Sequence, residues 1–277
     1  MIQTARAEFA KQFPNKPVGP IAVNLPMTES HEDLNANLRV CEELGVNIII
    51  SAQGDPTKFV KNVHDWGAVV WHDVTTLRFA KKAAKAGVDG IICIGFGGGG
   101  HSGTVNSQIL VSQVRDIFDG IVLSAGGIST GSAVHAAEII GADLAYMGTR
   151  FIPTIESRAS WDYKQMIISS EMTDLKYAEV SGKAPASWLV PSLVAQGVSE
   201  ETILNTPLGG RIPLPQGVRP WFDVWSAGQG ISFIHEVQPT KAVVSHLASE
   251  YESSVRQSRR PDLAQLSGRD LWRRSSS

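Results

Sequence analysis

One stretch concentrates the residue types that do chemistry: Gly95-Phe96-Gly97-Gly98-Gly99-Gly100-His101-Ser102-Gly103. Six glycines in nine residues are entropically expensive to order, so they mark backbone that passes very close to something or needs positive φ. His101 is the single titratable group among them. A neutral imidazole in that position can take a proton from carbon or donate a hydrogen bond to a developing anion. Two further small-residue stretches follow, Ser124-Ala125-Gly126-Gly127-Ile128-Ser129 and Tyr146-Met147-Gly148-Thr149-Arg150-Phe151. Bare main-chain amides and a nearby helix N-terminus make such loops attractive to phosphate. Gly126, Gly127 and Gly148 admit the phosphate oxygens, and the Thr149 hydroxyl adds a donor. His72 reads as strand-end packing and His135 as a solvated helix residue. No metal site is expected: His64 and His72 are not joined by a carboxylate or cysteine at ligand spacing, and Cys41 and Cys93 are isolated. No Gly-x-Ser-x-Gly elbow and no Walker loop occurs.

These loops need strands to carry them. Six short apolar runs predict buried parallel strands: Gly19–Leu25, Asn47–Ser51, Ala68–Asp73, Gly90–Gly95, Ile121–Ala125 and Leu144–Met147. Each is near-continuously apolar and rich in Val, Ile or Leu, as strands covered on both faces should be. Between them run helical stripes: Leu34, Leu38, Cys41 and Leu44; Leu77, Ala80 and Ala84; Ala133, Val134, Ala137 and Ile140. Asp55, with Pro56 after it, and Thr75 are candidate helix caps. Gly45, Gly87 and Gly141 sit where helices should end. The repeating unit predicts a TIM-type (β/α) barrel, in which catalytic groups lie on loops after the strands. A complete barrel has eight strands, so the expectation is an incomplete one, open along one side.

The rhythm breaks after residue 154. Residues 155–225 carry Pro185, Pro191, Pro207, Pro213, Pro215, Pro220 and four of the seven tryptophans. They read as a mainly helical cap, with 1–154 and 226–251 forming the barrel. Val243, Leu247 and Tyr251 mark a closing helix, and 252–277 reads as a polar, disordered tail. Lys and Arg total 25 against 27 Asp and Glu, a net charge of −2, which argues against bulk nucleic-acid binding. No apolar run approaches the roughly 18 residues of a membrane span, and no signal-peptide h-region precedes the first strand. Two cysteines make no disulfide framework, which suggests a cytoplasmic setting.

Taken together, "PVGPIAVNLP", "GGGGHSG", "SAGGIS", "GADLAYMGTRF" and "SAGQG" resemble the FMN-dependent nitronate monooxygenases, also called 2-nitropropane dioxygenases, from about residue 5 to residue 251. The resemblance implies that Asn24 contacts the flavin ring and that Gly99 lines it. It places Gly126 and the segment Tyr146, Met147, Gly148 and Thr149 at the FMN phosphate, beside the Gly127 of the loop already singled out, with Gln229 in a further segment near the cofactor. It makes His101 the catalytic histidine. The implied reaction oxidises a nitronate or nitroalkane with O2 to a carbonyl compound and nitrite. Ile94 stands where the family often has Gln, and the family's first two strands have no counterpart here. An open edge of this kind calls for cover, for instance by a second copy. The alternatives are an FMN-dependent NAD(P)H:quinone or enoyl-thioester reductase, and a non-catalytic relic.

Overall fold

The computed structural model describes residues 2–258 apart from 18, 28, 29, 181 and 183. In chain order, α1 (Ile2–Gln12) precedes β1 (Ala22–Pro26), α2 (His31–Glu43), β2 (Ile48–Ala52), α3 (Thr57–Asp65), β3 (Val69–Val74), α4 (Leu77–Lys85) and β4 (Gly90–Ile94). A two-residue strand β5 (Gly100–His101) then leads to α5 (Ser107–Arg115), β6 (Ile121–Ala125), α6 (Gly131–Ile139) and β7 (Leu144–Tyr146). The expected six strands form one parallel sheet in the order β1-β2-β3-β4-β6-β7. Strands β1 and β7 each pair on one side only, so the arrangement is an incomplete barrel with two open edges.

Strand alternation explains why the runs are apolar throughout. Ile49, Ile91, Cys93 and Val122 face the helices and join the main core with Leu38, Phe59, Val63, Ala80 and Leu110. Ile48, Ile50, Ile92, Leu123 and Ala125 face inward and form a separate cluster with Val69, Trp71 and Ile94. A strand buried on both faces has no polar position to spare.

The repeated helix–turn–strand motif has a physical basis in its acidic residue. After Gly87 (φ +84°) and Gly141 (φ +103°), which end their helices in the left-handed region, Asp89 and Asp143 turn back on the sheet. The Asp89 carboxylate accepts the Val70 N–H at 2.8 Å and that of Asp143 accepts the Val122 N–H at 2.8 Å. Each therefore stitches the start of one strand to its neighbour. His64 Nε2 and the Arg115 guanidinium complete the two carboxylates' partners. Two cap positions differ in detail from expectation. Asp55 does accept the Thr57 N–H at 3.0 Å, but it is Thr76, not Thr75, that caps α4, taking the Phe79 N–H at 3.3 Å.

Residues 155–225 are mixed rather than mainly helical. They hold α7 (Trp161–Ser169), β8 (Leu175–Ala178), β9 (Ala186–Leu189), α8 (Val190–Ala195) and α9 (Glu200–Asn205), then a long irregular run. Prolines at 207, 213, 215 and 220 lack the N–H that a helix needs, which keeps that run open. The strands form because β9 pairs antiparallel with both β8 and β5, giving the order β5-β9-β8. The cap is thus sewn onto the glycine loop, and has its own core around Trp188, Leu193, Ile203, Ile212 and Val224. The closing helix α10 (Thr240–Ser258) extends through the first seven residues of the expected tail, and 259–277 lie outside the described residues. It packs on α6 so closely that a Cβ at Gly131 would stand 2.1 Å from the Leu247 carbonyl oxygen.

Candidate active site

Beyond the carboxyl ends of β4, β6 and β7 the chain cannot carry ordinary side chains, because three loops cross there by backbone. The carbonyl of Gly97 accepts the N–H of Gly127 at 3.1 Å and that of Gln229 at 2.9 Å, tying the loops after β4 and β6 to the segment around Gln229. A Cβ at Gly99 would lie 2.8 Å from the Gly228 nitrogen, and one at Gly228 only 2.7 Å from the Gly97 carbonyl oxygen. The glycine run is therefore a packing requirement, not a flexible linker.

The loops enclose a cleft of about 300 Å³. Its walls are Gly97–Gly100, Ala125–Ser129, Tyr146–Thr149 and Ser226, Gly228 and Gly230, with Ile94 and Ile152 supplying apolar surface. Of the residues singled out in the sequence, Gly99, Gly126, Gly127, Tyr146, Met147, Gly148 and Thr149 all line this one cleft. A Cβ at Gly148 would meet no protein atom within 4 Å, so the space beside it is cleft. Among the described residues the N–H groups of Ile128, Ser129, Gly148 and Thr149 donate to no protein acceptor. Four amides around a glycine-walled hollow fit a phosphate, whose oxygens accept only.

Two parts of the expected cradle have partners within the chain. The Thr149 hydroxyl oxygen already accepts the Gly228 N–H at 2.9 Å, leaving its O–H to donate. The α6 N-terminus is taken: Gly131 N–H donates to the Glu250 carboxylate at 2.7 Å, so that end of the helix is neutralised from within the chain. Gln229 turns away from the cleft and lines a neighbouring cavity of about 230 Å³ with Ser102, Lys176 and Tyr177. It holds the loops through its backbone instead.

Asn24 lies on the open edge strand β1, yet its side chain hydrogen-bonds the Tyr146 hydroxyl on β7, across the lumen. The Tyr146 phenol is pushed above its ordinary value by burial and by the Asp73 charge, with the Asn24 bond opposing. Asp73 on β3 is a residue that the sequence reading passed over in "WHDVTT". Period-two alternation was the available signal, since it puts His72 and Asp73 on opposite faces. His72 indeed faces the helices, buried, 2.7 Å from the Ser51 hydroxyl. His135 is not solvated: it is buried under α10, 3.0 Å from the Ser254 hydroxyl and edge-on to Tyr251.

His101 stands on β5, one residue beyond the cleft wall, where β5 pairs with Ala186 and Ser187 of β9. Its Nδ1 lies 3.4 Å from the Pro185 carbonyl oxygen. A carbonyl can only accept, so in this contact Nδ1 is the donor, and in the neutral ring the lone pair then lies on Nε2. The ring meets Trp221 edge-on at 5.2 Å. Trp221 itself has φ +71°, a strained value for a bulky residue, held by its N–H to the Val224 carbonyl and by the Arg219–Asp223 pair. Strain of this kind gathers at functional sites; nothing in the local sequence announced it.

Among the described residues no group of three or more His, Cys, Asp or Glu could hold a metal ion, and no helix is long and apolar enough to cross a membrane.

Comparison with known proteins meets this geometry. The sequence profile of a family described as nitronate monooxygenase matches residues 3–202. A nitronate monooxygenase of Neurospora crassa is 33% identical over 128 residues, covering 43% of this chain and 34% of that protein. A (3aS,4S,5R,7aS)-5-hydroxy-7a-methyl-1-oxo-octahydro-1H-indene-4-carboxyl-CoA dehydrogenase of Rhodococcus jostii is 31% identical over 155 residues, covering 56% of this chain and 43% of the relative. The match thus spans less than half the length of these curated relatives. Among solved structures, a methionine-to-alanine mutant of FabK from Thermotoga maritima superposes with a TM-score of 0.73 at 26% identity, covering 93% of this chain and 83% of that one.

Proposed function

Because the chain belongs to the nitronate monooxygenase family, whose members are flavin-dependent oxidoreductases, we propose that its glycine cleft holds FMN and that it oxidises alkyl nitronates with O2. The products are a carbonyl compound and nitrite. The observation that carries this reading is the cleft itself, where seven of the residues marked in the sequence meet around unsatisfied amides.

The amides of Ile128, Ser129, Gly148 and Thr149, with the Thr149 O–H, would hold the phosphate. Gly99, Tyr146 and the Asn24 side chain would border the ring. FMN, when bound, supplies the electron-accepting chemistry that no side chain here can provide. The protein's part is positioning, desolvation and proton handling. His101, with Nδ1 fixed on Pro185, offers Nε2 as the base that takes the α-proton of a neutral nitroalkane; a preformed nitronate makes no such demand. Trp221, packed on both His101 and Trp188, would hold the imidazole in place.

Purified protein that is yellow and releases nitrite from a nitronate without NAD(P)H supports the reading. Colourless protein with no affinity for added FMN would sink it and leave the non-catalytic reading. The likeness to FabK and to a carboxyl-CoA dehydrogenase favours a second reading, NAD(P)H-dependent reduction of a quinone or an enoyl thioester. NAD(P)H consumption coupled to such an acceptor, without nitrite release, would select it.

A further inference from the structure

The lumen contains one ionisable group that the mechanism leaves idle. Asp73 sits opposite Ile92 in the β3–β4 register, one inward-facing position below Ile94, which lines the cleft. Its Oδ1 is buried and has no hydrogen-bond partner among the described residues. The inward side chains that the neighbouring strands turn toward it are uncharged: Asn24 from β1, Ile50 from β2, Ile92 and Ile94 from β4 and Leu123 from β6. The titratable group facing it is Tyr146 of β7, and no cation among the described residues does. A carboxylate with one oxygen buried and unpartnered and no counter-charge beside it favours its neutral form; burial accordingly pushes Asp73 up to about 7.

We propose that the cleft takes its anionic cofactor with Asp73 protonated, so that binding draws a proton from solution onto this carboxyl. The inference rests on the reading that the cleft holds FMN. A phosphate-bearing ligand brings like charge and displaces water, and both strengthen the carboxyl's hold on its proton. Linkage then requires affinity to fall as pH rises past the value of the free protein. The phosphate's own second ionisation, at about pH 6, acts equally on any variant, so the contribution of Asp73 is a difference between two chains.

The test titrates FMN into the apoprotein, read by quenching of flavin fluorescence, for the parent chain and Asp73→Asn at pH 6 and pH 8. Between these values the parent should lose about tenfold in affinity relative to the variant, since each pH unit above the free pKa weakens binding by up to tenfold. The second readout is proton uptake on mixing FMN with weakly buffered parent protein near pH 7.5. It decides the matter alone if the variant does not fold. Parallel pH profiles with no proton uptake overturn the proposal and leave the cofactor reading intact. Failure of both folded chains to bind FMN at either pH overturns the two together.

Discussion

The two ends of the inner surface are built by opposite means. At the rim above β4, β6 and β7 the site is main chain: glycines interlock at distances that exclude a Cβ, and residues with unsatisfied amides line the cleft. Across the lumen, toward the open edge at β1, it is side chain: Asn24 reaches Tyr146, and Asp73 waits beneath with its Oδ1 unpartnered. Backbone can grip a phosphate whatever the surrounding sequence, but tolerates almost no substitution. Side chains are tunable, and here they govern protons. The rim should therefore fail abruptly under mutation and the lumen by degrees.

The largest effect is expected at Gly148. A Cβ there meets no protein atom within 4 Å, so with valine the fold should persist while the added atoms fill phosphate space; flavin affinity should drop on the order of 100-fold or more, the loss of about two to three hydrogen bonds to a charged group. Unchanged flavin retention in Gly148→Val would break the contrast at once. Gly99→Val sharpens it, because its Cβ strikes the Gly228 backbone: this variant should lose both flavin and about 1–3 kcal/mol of stability, read by chemical unfolding. His101→Ala should slow oxidation of a neutral nitroalkane by about 10²–10⁴-fold and that of the preformed nitronate much less, with flavin retained. Equal losses on both substrates would remove it as the carbon base.

Smaller effects belong to the lumen. The folded-state pKa of Asp73, about 7, lies above the ordinary 3.8, so the native state holds the extra proton. Its favourable contribution is complete below about pH 4 and is lost as pH rises through 7. Thermal unfolding of the apoprotein should accordingly show Asp73→Asn gaining on the parent at pH 8 and not at pH 4. A constant difference would mean that the carboxyl is already satisfied. Tyr146→Phe, which deletes the Asn24 bond, should cost only a few-fold in flavin affinity, the scale of one neutral hydrogen bond of about 1 kcal/mol.

Much of this is legible in the amino-acid sequence. Apolar runs such as "NIIIS" and "GIICI" can only be strands covered on both sides, and Gly87 and Gly141 stop the helices that precede them. The small-residue loops likewise gave away the rim, since bare amides leave a compositional trace. Residues whose part depends on distant partners left no such trace. His135 looked solvated until α10 covered it, and Gln229 looked like a cofactor ligand until its side chain was found in the adjacent cavity. The cap looked helical because β9 finds its partners far back along the chain, Ser187 opposite Gly100 and Ala186 opposite His101. Pairing at that separation is invisible to local periodicity.

By itself the sequence determined the strands, their order, the glycine loops and the family, all consequences of short-range chemistry: alternation, caps and positive φ. Tertiary structure alone decided which protons matter. Whether a carboxylate or an imidazole is charged depends on water and counter-charge within a few ångströms. In this chain those neighbours come from strands remote in sequence, as Asp73 of β3 does for Tyr146 of β7.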